Sequence, residues 1–229
     1  MIRCNTLRRM LRKLWENDEA PKLDEAVPRL KSIRPRCVTA SRSEIELLLD
    51  NASKTLRLFL LLCSDEAIRS GTAVRLGPQH YITETRRLEF TTKYNEKVSV
   101  PVTDDVAELL AECNLSSVKP FLTQLRIAQF PNANKQRTSP FVSGHQLRKE
   151  LTKLRAQLGI EKRIIPHDLR RTTAVALYRR TRDIRKVQAL LGHHQLQSTF
   201  WYLDHELEPV DLADLEATKQ PFIIRRKTA

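Results

Sequence analysis

Four side chains in the last part of the chain have the types and the spacing needed to act on a phosphate ester. His167 and Arg170 lie three residues apart, and His193 precedes Tyr202 by nine residues. A tyrosine hydroxyl can attack phosphorus, an imidazole can carry its proton, and the planar guanidinium of arginine can bind two phosphate oxygens at once. Each residue alone also has a structural explanation, such as packing for Tyr202 or a surface ion pair for Arg170. Only their joint order and spacing favours a catalytic role over these structural explanations.

The first pair is predicted to lie at the start of a helix. Pro166 fits the first turn of a helix, where its missing N–H group has no intrahelical partner to lose. The three-residue spacing then puts His167 and Arg170 on one face near the N-terminus. Partial positive charge and free N–H groups at that end favour a bound phosphate.

A break in the chain is needed to bring the second pair together. A helix is predicted over residues 182–191 from its apolar spacing, with Gly192 as its C-terminal stop. Another helix is predicted to begin near Ser198. On one straight helix, nine residues would put His193 and Tyr202 on opposite sides, so the turn at Gly192 is what lets both face one cleft.

The combined pattern resembles the catalytic domain of the tyrosine recombinase (phage integrase) family. That family has His-x-x-Arg, then Leu-Gly-His, then a tyrosine nine residues after the last histidine, and here these are His167, Arg170, His193 and Tyr202. The resemblance extends over residues 41–215. It implies a mainly α fold with a small antiparallel β-sheet (α+β). It also implies DNA strand exchange through a 3′-phosphotyrosyl intermediate, without a metal or a nucleotide cofactor.

The same family has an arginine after its first long apolar helix. Residues 41–64 are predicted to form helices, because Ser41 and Glu44 have the spacing of a capping box and residues 56–63 are almost wholly apolar. Arg69 follows this segment, and by the resemblance it is the first arginine of the site.

The family also has a lysine on a β-hairpin. Residues 87–93 and 97–102 alternate apolar and polar side chains and predict such a hairpin. Lys93 lies at its predicted tip and matches the family lysine, with Lys97 as the less favoured alternative. The resemblance gives Lys93 the role of protonating the departing 5′-hydroxyl.

The chemistry of a phosphodiester assigns roles to the other residues. Arg69 and Arg170 would bind the phosphate oxygens, with His193 donating a further hydrogen bond. Tyr202 would be the nucleophile. Because a tyrosine has an ordinary pKa near 10, it needs a base, and His167 is placed to serve.

One position and one short segment depart from the family pattern. Thr72 stands where the family usually has a carboxylate, three residues after the first arginine. Residues 65–68 read Asp-Glu-Ala-Ile where the family is glycine-rich. The alternative nucleophiles are Tyr81, Tyr94 and Tyr178, and Tyr178 is expected to pack in the middle of a helix.

Three regions are predicted along the chain. Residues 1–40 contain a basic helix and a proline-interrupted linker, consistent with the remnant of a core-binding domain. Residues 41–215 form the catalytic domain, and residues 216–229 form a C-terminal tail, which in this family often docks on a neighbouring protomer.

The net charge indicates the kind of binding partner, and the cysteine content indicates the cellular compartment. A net charge of +13 over 229 residues favours an anionic partner, and double-stranded DNA is the first candidate. Four widely spaced cysteines indicate a reduced, cytoplasmic protein, and the apolar residues 56–62 are too few to cross a membrane. By the resemblance, the protein is expected to act as a homo-oligomer, a tetramer, on DNA. Two alternatives stay open: a type IB topoisomerase-like enzyme, or a catalytically inactive DNA-binding integrase remnant.

Overall fold

Helices make up most of what the computed structural model describes, namely residues 38–92, 95, 97–129, 141–203 and 206. One three-stranded antiparallel sheet accompanies them in this part of the chain. The predicted mainly α fold with a small antiparallel sheet is therefore confirmed. In chain order the elements are α1 (Arg42–Asp50), α2 (Lys54–Ser64), α3 (Ser70–Ala73), β1 (Tyr81–Ile82), β2 (Arg87–Thr91), β3 (Lys97–Pro101), α4 (Asp104–Ala111), α5 (Phe121–Gln129), α6 (Gly144–Gln157), α7 (Pro166–Thr181), α8 (Ile184–Leu191) and α9 (Leu196–Leu203).

The helix α2 lies at the centre of the main core. Nine of its residues are buried, so it is apolar on nearly every side, as expected of a helix surrounded by others. It contacts α1, α4, α5, α6 and α7. Its last residue is Ser64, so this buried helix fixes where the segment that carries Arg69 begins.

The start of α1 agrees with its sequence signal. The Ser41 hydroxyl accepts a hydrogen bond from the backbone N–H of Glu44 at 3.2 Å, and the Glu44 carboxylate accepts one from the Ser41 N–H at 2.6 Å. This reciprocal pair is the predicted capping box. Ser53 caps α2 in a similar way by accepting from Leu56 at 3.3 Å.

The sheet has the order β1-β2-β3, with both pairs antiparallel. Across β2 and β3, Leu88 pairs with Val100 and Phe90 with Val98, so the predicted apolar positions share one face. Leu88 and Val100 are buried in the core, whereas Phe90 and Val98 extend to a cleft described below.

The last three helices are separated by two left-handed residues. Arg182 ends α7 with φ +52°, and Gly192 ends α8 with φ +52°, which is the predicted glycine stop. The helix α8 therefore begins at Ile184, two residues later than predicted, because Asp183 caps it by accepting from Arg185 and Lys186. The helix α9 begins at Leu196, slightly before the predicted Ser198.

Several predicted features fall outside the described residues. These are the segment 1–37, Lys93 and Tyr94 in the hairpin turn, and the tail 216–229. Cys63 and Cys113 are free and buried, while Cys4 and Cys37 are not described. In the described ranges, no helix combines the length and the apolar character needed to cross a bilayer.

Candidate active site

A cleft of about 470 Å³ opens between the sheet and the C-terminal helices. Its walls come from residues 66–72, from β2 and β3, from the start of α7 and from the end of α8. Arg69, His167 and Arg170 all line it. Three predicted side chains from two distant parts of the sequence thus face one opening.

Arg170 is held by the backbone of two loops. Its side chain is buried, and its two terminal nitrogens donate to the carbonyl oxygens of Ala67 and Leu191. Its Nε is also buried and has no hydrogen-bond partner among the described residues. A surface ion pair for Arg170 is therefore excluded, and the guanidinium is fixed beside the cleft with its Nε–H group unpaired among the described residues.

The loop that carries Arg69 has an unusual backbone. Ala67 has φ +47°, a left-handed conformation that side chains with a Cβ rarely adopt. Residues 65–68, where the family pattern is glycine-rich, contain no glycine in this chain. In this conformation the carbonyl of Ala67 accepts a hydrogen bond from Arg170. Two residues further on, Arg69 precedes α3, and its carbonyl accepts from the N–H groups of Thr72 and Ala73 at 2.8 and 2.9 Å.

Tyr202 and His167 are in direct contact. The Tyr202 hydroxyl lies 3.2 Å from His167 Nδ1, and the ring centres are 4.9 Å apart in an edge-on arrangement. Only 9% of Tyr202 is exposed, and its hydroxyl also interacts with the Arg170 guanidinium. The predicted nucleophile therefore touches both the predicted base and one of the predicted phosphate-binding groups.

His193 is fixed by the turn between α8 and α9. Its backbone N–H donates to the Gln188 carbonyl at 3.1 Å, and its own carbonyl accepts from Gln188 Nε2 at 2.9 Å. Its ring lies 5.1 Å from the Tyr202 ring, and its Nδ1 is 3.1 Å from the Thr199 hydroxyl. The break at Gly192 thus brings His193 beside Tyr202, but neither side chain is among the residues that line the cleft.

The electrostatics of the cleft keep both histidines neutral near pH 7. The packing around the His167 ring lowers its pKa, although the residue is exposed, and the charges of Arg171, Arg170 and Arg69 lower the pKa further. Burial lowers the pKa of His193 to about 4, with further contributions from Arg170, Arg69 and His167. A neutral His167 can accept a proton, and a neutral His193 can still donate one N–H group.

Arg171 supports the site without lining the cleft. It is buried, its Nη2 donates to the Trp201 carbonyl at 3.0 Å, and its guanidinium carbon lies 5.4 Å from the centre of the Tyr202 ring. It therefore ties α7 to α9 next to Tyr202. Nothing in the sequence singles out Arg171 or Thr199, because both contacts depend on how α9 packs after the turn.

The other candidates lie elsewhere. Lys97 is exposed and lines a second cavity of about 600 Å³, and Lys93 is outside the described residues. Tyr81 is half-buried in β1, and Tyr178 is half-buried in α7 with the Arg182 guanidinium 5.8 Å from its ring centre. Among the described residues that line the cleft there is no tyrosine, so the contact with His167 is what distinguishes Tyr202 from these two.

The phage integrase family matches residues 39–208 of the chain. A curated relative, the tyrosine recombinase XerC of Pelotomaculum thermopropionicum, is 30% identical over 201 residues, which is 85% of this chain and 58% of the relative. The chain therefore belongs to the phage integrase, or tyrosine recombinase, family. It spans less than two thirds of the length of that relative.

Solved structures share the same fold. The XerA recombinase superposes with a TM-score of 0.55 at 17% identity, covering 96% of this chain and 75% of that chain. The XerH site-specific recombinase bound to its difH substrate, in a post-cleavage complex, gives a TM-score of 0.52 at 17% identity, covering 80% of this chain and 52% of that chain. At these identities the likeness concerns the fold.

Proposed function

We propose that this protein is a site-specific DNA recombinase or integrase that cleaves and rejoins strands through a 3′-phosphotyrosyl intermediate. The observation that carries the proposal is the contact between Tyr202 and His167 beside the buried Arg170. It joins a nucleophile, a proton acceptor and a phosphate-binding cation in one place. Family membership and the DNA-bound state of the XerH neighbour support DNA as the substrate of this chemistry.

In the first step the Tyr202 oxygen attacks a backbone phosphorus. Neutral His167 accepts the hydroxyl proton across the 3.2 Å contact. Arg170 and Arg69 stabilise the charge that develops on the non-bridging oxygens, and His193 donates a further hydrogen bond. The P–O5′ bond breaks, and a 3′-phosphotyrosine forms.

The departing 5′-oxygen needs a proton, and we assign that proton to Lys93. The assignment rests on its sequence position between β2 and β3 and on the family pattern. The ester conserves the energy of the broken bond, so a 5′-hydroxyl from another strand can attack it and release Tyr202. Exchange of strands then needs no external energy source.

Partners follow from the same chemistry. Double-stranded DNA is the proposed partner, because the chain carries a net charge of +13 and the cleft is lined by three arginines and one histidine. We also propose that the protein acts as a homo-oligomer, a tetramer, on DNA, with the tail 216–229 contacting a neighbouring protomer. Its cytoplasmic location stays a prediction.

Covalent trapping tests the proposal. A duplex nicked near the scissile phosphate loses its short 5′-hydroxyl fragment after cleavage, so a covalent adduct accumulates and migrates as a slower band on a denaturing gel. The proposal predicts an adduct with the wild-type chain, whereas a DNA-binding remnant shifts the duplex in a native gel without forming one.

Strand transfer between two labelled duplexes then separates a recombinase from a topoisomerase-like enzyme. We expect joined products that carry both labels. Relaxation of supercoiled DNA without such products would favour the topoisomerase alternative.

A further inference from the structure

The buried hydroxyl of Thr199 contacts the ring of His193 at Nδ1. Thr199 lies on the first half of α9 and is fully buried, and its Oγ1 is 3.1 Å from His193 Nδ1. Gln188 makes two hydrogen bonds to the His193 backbone. His193 is therefore held both at its ring and at its main chain. The arrangement raises the question of which ring nitrogen bears the proton.

A neutral imidazole has one N–H group and one acceptor nitrogen, and the partner of one nitrogen decides the state of the other. A buried hydroxyl needs an acceptor for its proton. In the described part of the chain, the side-chain partner of the Thr199 hydroxyl is His193 Nδ1. The proton of Thr199 therefore points to Nδ1, which makes Nδ1 the acceptor and leaves the ring proton on Nε2.

We infer that Thr199 is a positioning residue that fixes neutral His193 in the tautomer with its proton on Nε2, so that the histidine donates to the phosphate. The opposite tautomer would direct a lone pair at the anionic oxygens, which would repel it. This inference rests on the proposed function for its catalytic consequence. The tautomer itself is a property of the free protein and can be measured without DNA.

The assignment also fits the charge state of the ring. Because the pKa of His193 is about 4, the ring is neutral throughout the range in which the enzyme would work. A doubly protonated ring would donate from both nitrogens and would need no tautomer control. A neutral ring has a single donor, and its direction matters for transition-state stabilisation.

The direct test is nitrogen NMR of the histidine side chains. In protein labelled with ¹⁵N-histidine at pH 7, correlations to the ring protons distinguish a protonated from an unprotonated ring nitrogen. The His193 signals are assigned by their loss in His193→Gln. We expect Nδ1 to be unprotonated and Nε2 to be protonated. A spectrum with the proton on Nδ1, or with an even mixture of tautomers, would overturn the inference.

Matched variants test its consequence. Thr199→Val keeps the shape of the side chain and removes the hydroxyl, whereas Thr199→Ser keeps the hydroxyl. We expect Thr199→Val to show a tautomer mixture and to cleave nicked DNA about tenfold more slowly under single-turnover, saturating conditions, as the loss of one well-placed hydrogen bond would cause. DNA affinity should stay unchanged, and Thr199→Ser should cleave within about twofold of the wild-type rate.

A Thr199→Val variant that cleaves at the wild-type rate would overturn the positioning role. If that variant does not fold, the wild-type spectrum and the Thr199→Ser rate still decide the question. Failure of the proposed function has a different signature, because the wild-type chain would then form no covalent adduct although the His193 tautomer is as expected.

Discussion

Acidification should destabilise the folded chain through His193. The pKa of this histidine is about 4 in the folded protein because the ring is buried among positive charges, whereas an unfolded chain has an ordinary histidine pKa near 6.5. A group whose pKa is lowered by folding binds more protons in the unfolded state. Its contribution to stability is therefore full above pH 6.5 and is lost as the pH falls from 6.5 towards 4.

The magnitude follows from the two pKa values. At pH 5 the unfolded imidazole is almost fully protonated, while the folded one is still mostly neutral. The pH then lies roughly 1.5 units below the unfolded pKa, and each unit corresponds to about 1.36 kcal/mol. The free energy of unfolding should fall by about 2 kcal/mol between pH 8 and pH 5 on account of His193 alone.

Other groups in the cleft titrate in the same interval, so the assay needs a control. His167 acts in the same direction, because its pKa is also lowered. Glu66 acts in the opposite direction, because burial raises its pKa and favours the protonated form. Urea unfolding followed by circular dichroism at both pH values, for the wild type and for His193→Gln, cancels these contributions in the difference.

The wild type should lose about 2 kcal/mol more than His193→Gln on going from pH 8 to pH 5. Parallel losses in the two proteins would refute the reasoning, because they would mean that the ring of His193 is not desolvated as its 8% exposure indicates.

The remaining predictions concern Arg170, the backbone at Ala67, the residue that protonates the leaving group, and DNA binding. Arg170→Lys should slow cleavage by on the order of a hundredfold, because the compact ammonium of lysine cannot replace the planar guanidinium fork that reaches two separate carbonyls and the phosphate. The exposed Arg180→Lys on the same helix should not slow cleavage, and single-turnover gels measure both. Ala67→Val should lower the free energy of unfolding by about 2 kcal/mol or more, since a β-branched residue is strained at φ +47°. Ala67→Gly should leave the free energy of unfolding nearly unchanged. In that variant, relief of backbone strain offsets the loss of a buried methyl group and the greater freedom of glycine in the unfolded chain. Equal unfolding midpoints for the two variants would contradict that account. A 5′-thiol leaving group should rescue Lys93→Ala, since a thiolate leaves without a proton, and rescue of Lys97→Ala instead would reassign the acid. DNA affinity should fall with salt with a log–log slope of roughly −0.9 for each phosphate contacted, and a flat salt dependence in fluorescence anisotropy would argue against phosphate binding.

Much of the site could be predicted because it depends on local signals. Pro166 starts α7, so His167 and Arg170, three residues apart, lie on one face of that helix. Gly192 ends α8 with a left-handed conformation, as expected of a glycine after an apolar helix. These signals act within one or two turns of chain, and they placed the catalytic candidates on the correct elements.

The parts that could not be predicted depend on contacts between distant segments. Arg170 is 103 residues from the Ala67 carbonyl to which it donates, so its burial could not be distinguished from a surface ion pair. The left-handed backbone at Ala67 lacks the glycine that would have signalled it. Arg171 and Thr199 gain their roles only when α9 folds back on α7.

Identification of the residue that becomes linked to DNA tests the central claim most directly. Adducts trapped on nicked DNA are digested with protease and nuclease, and the modified peptide is located by mass spectrometry. The account predicts that the nucleotide is attached to Tyr202, that Tyr202→Phe forms no adduct while binding DNA normally, and that the control Tyr178→Phe forms adducts at the wild-type rate. A nucleotide attached to Tyr178 or Tyr81, or an adduct that persists in Tyr202→Phe, would contradict it.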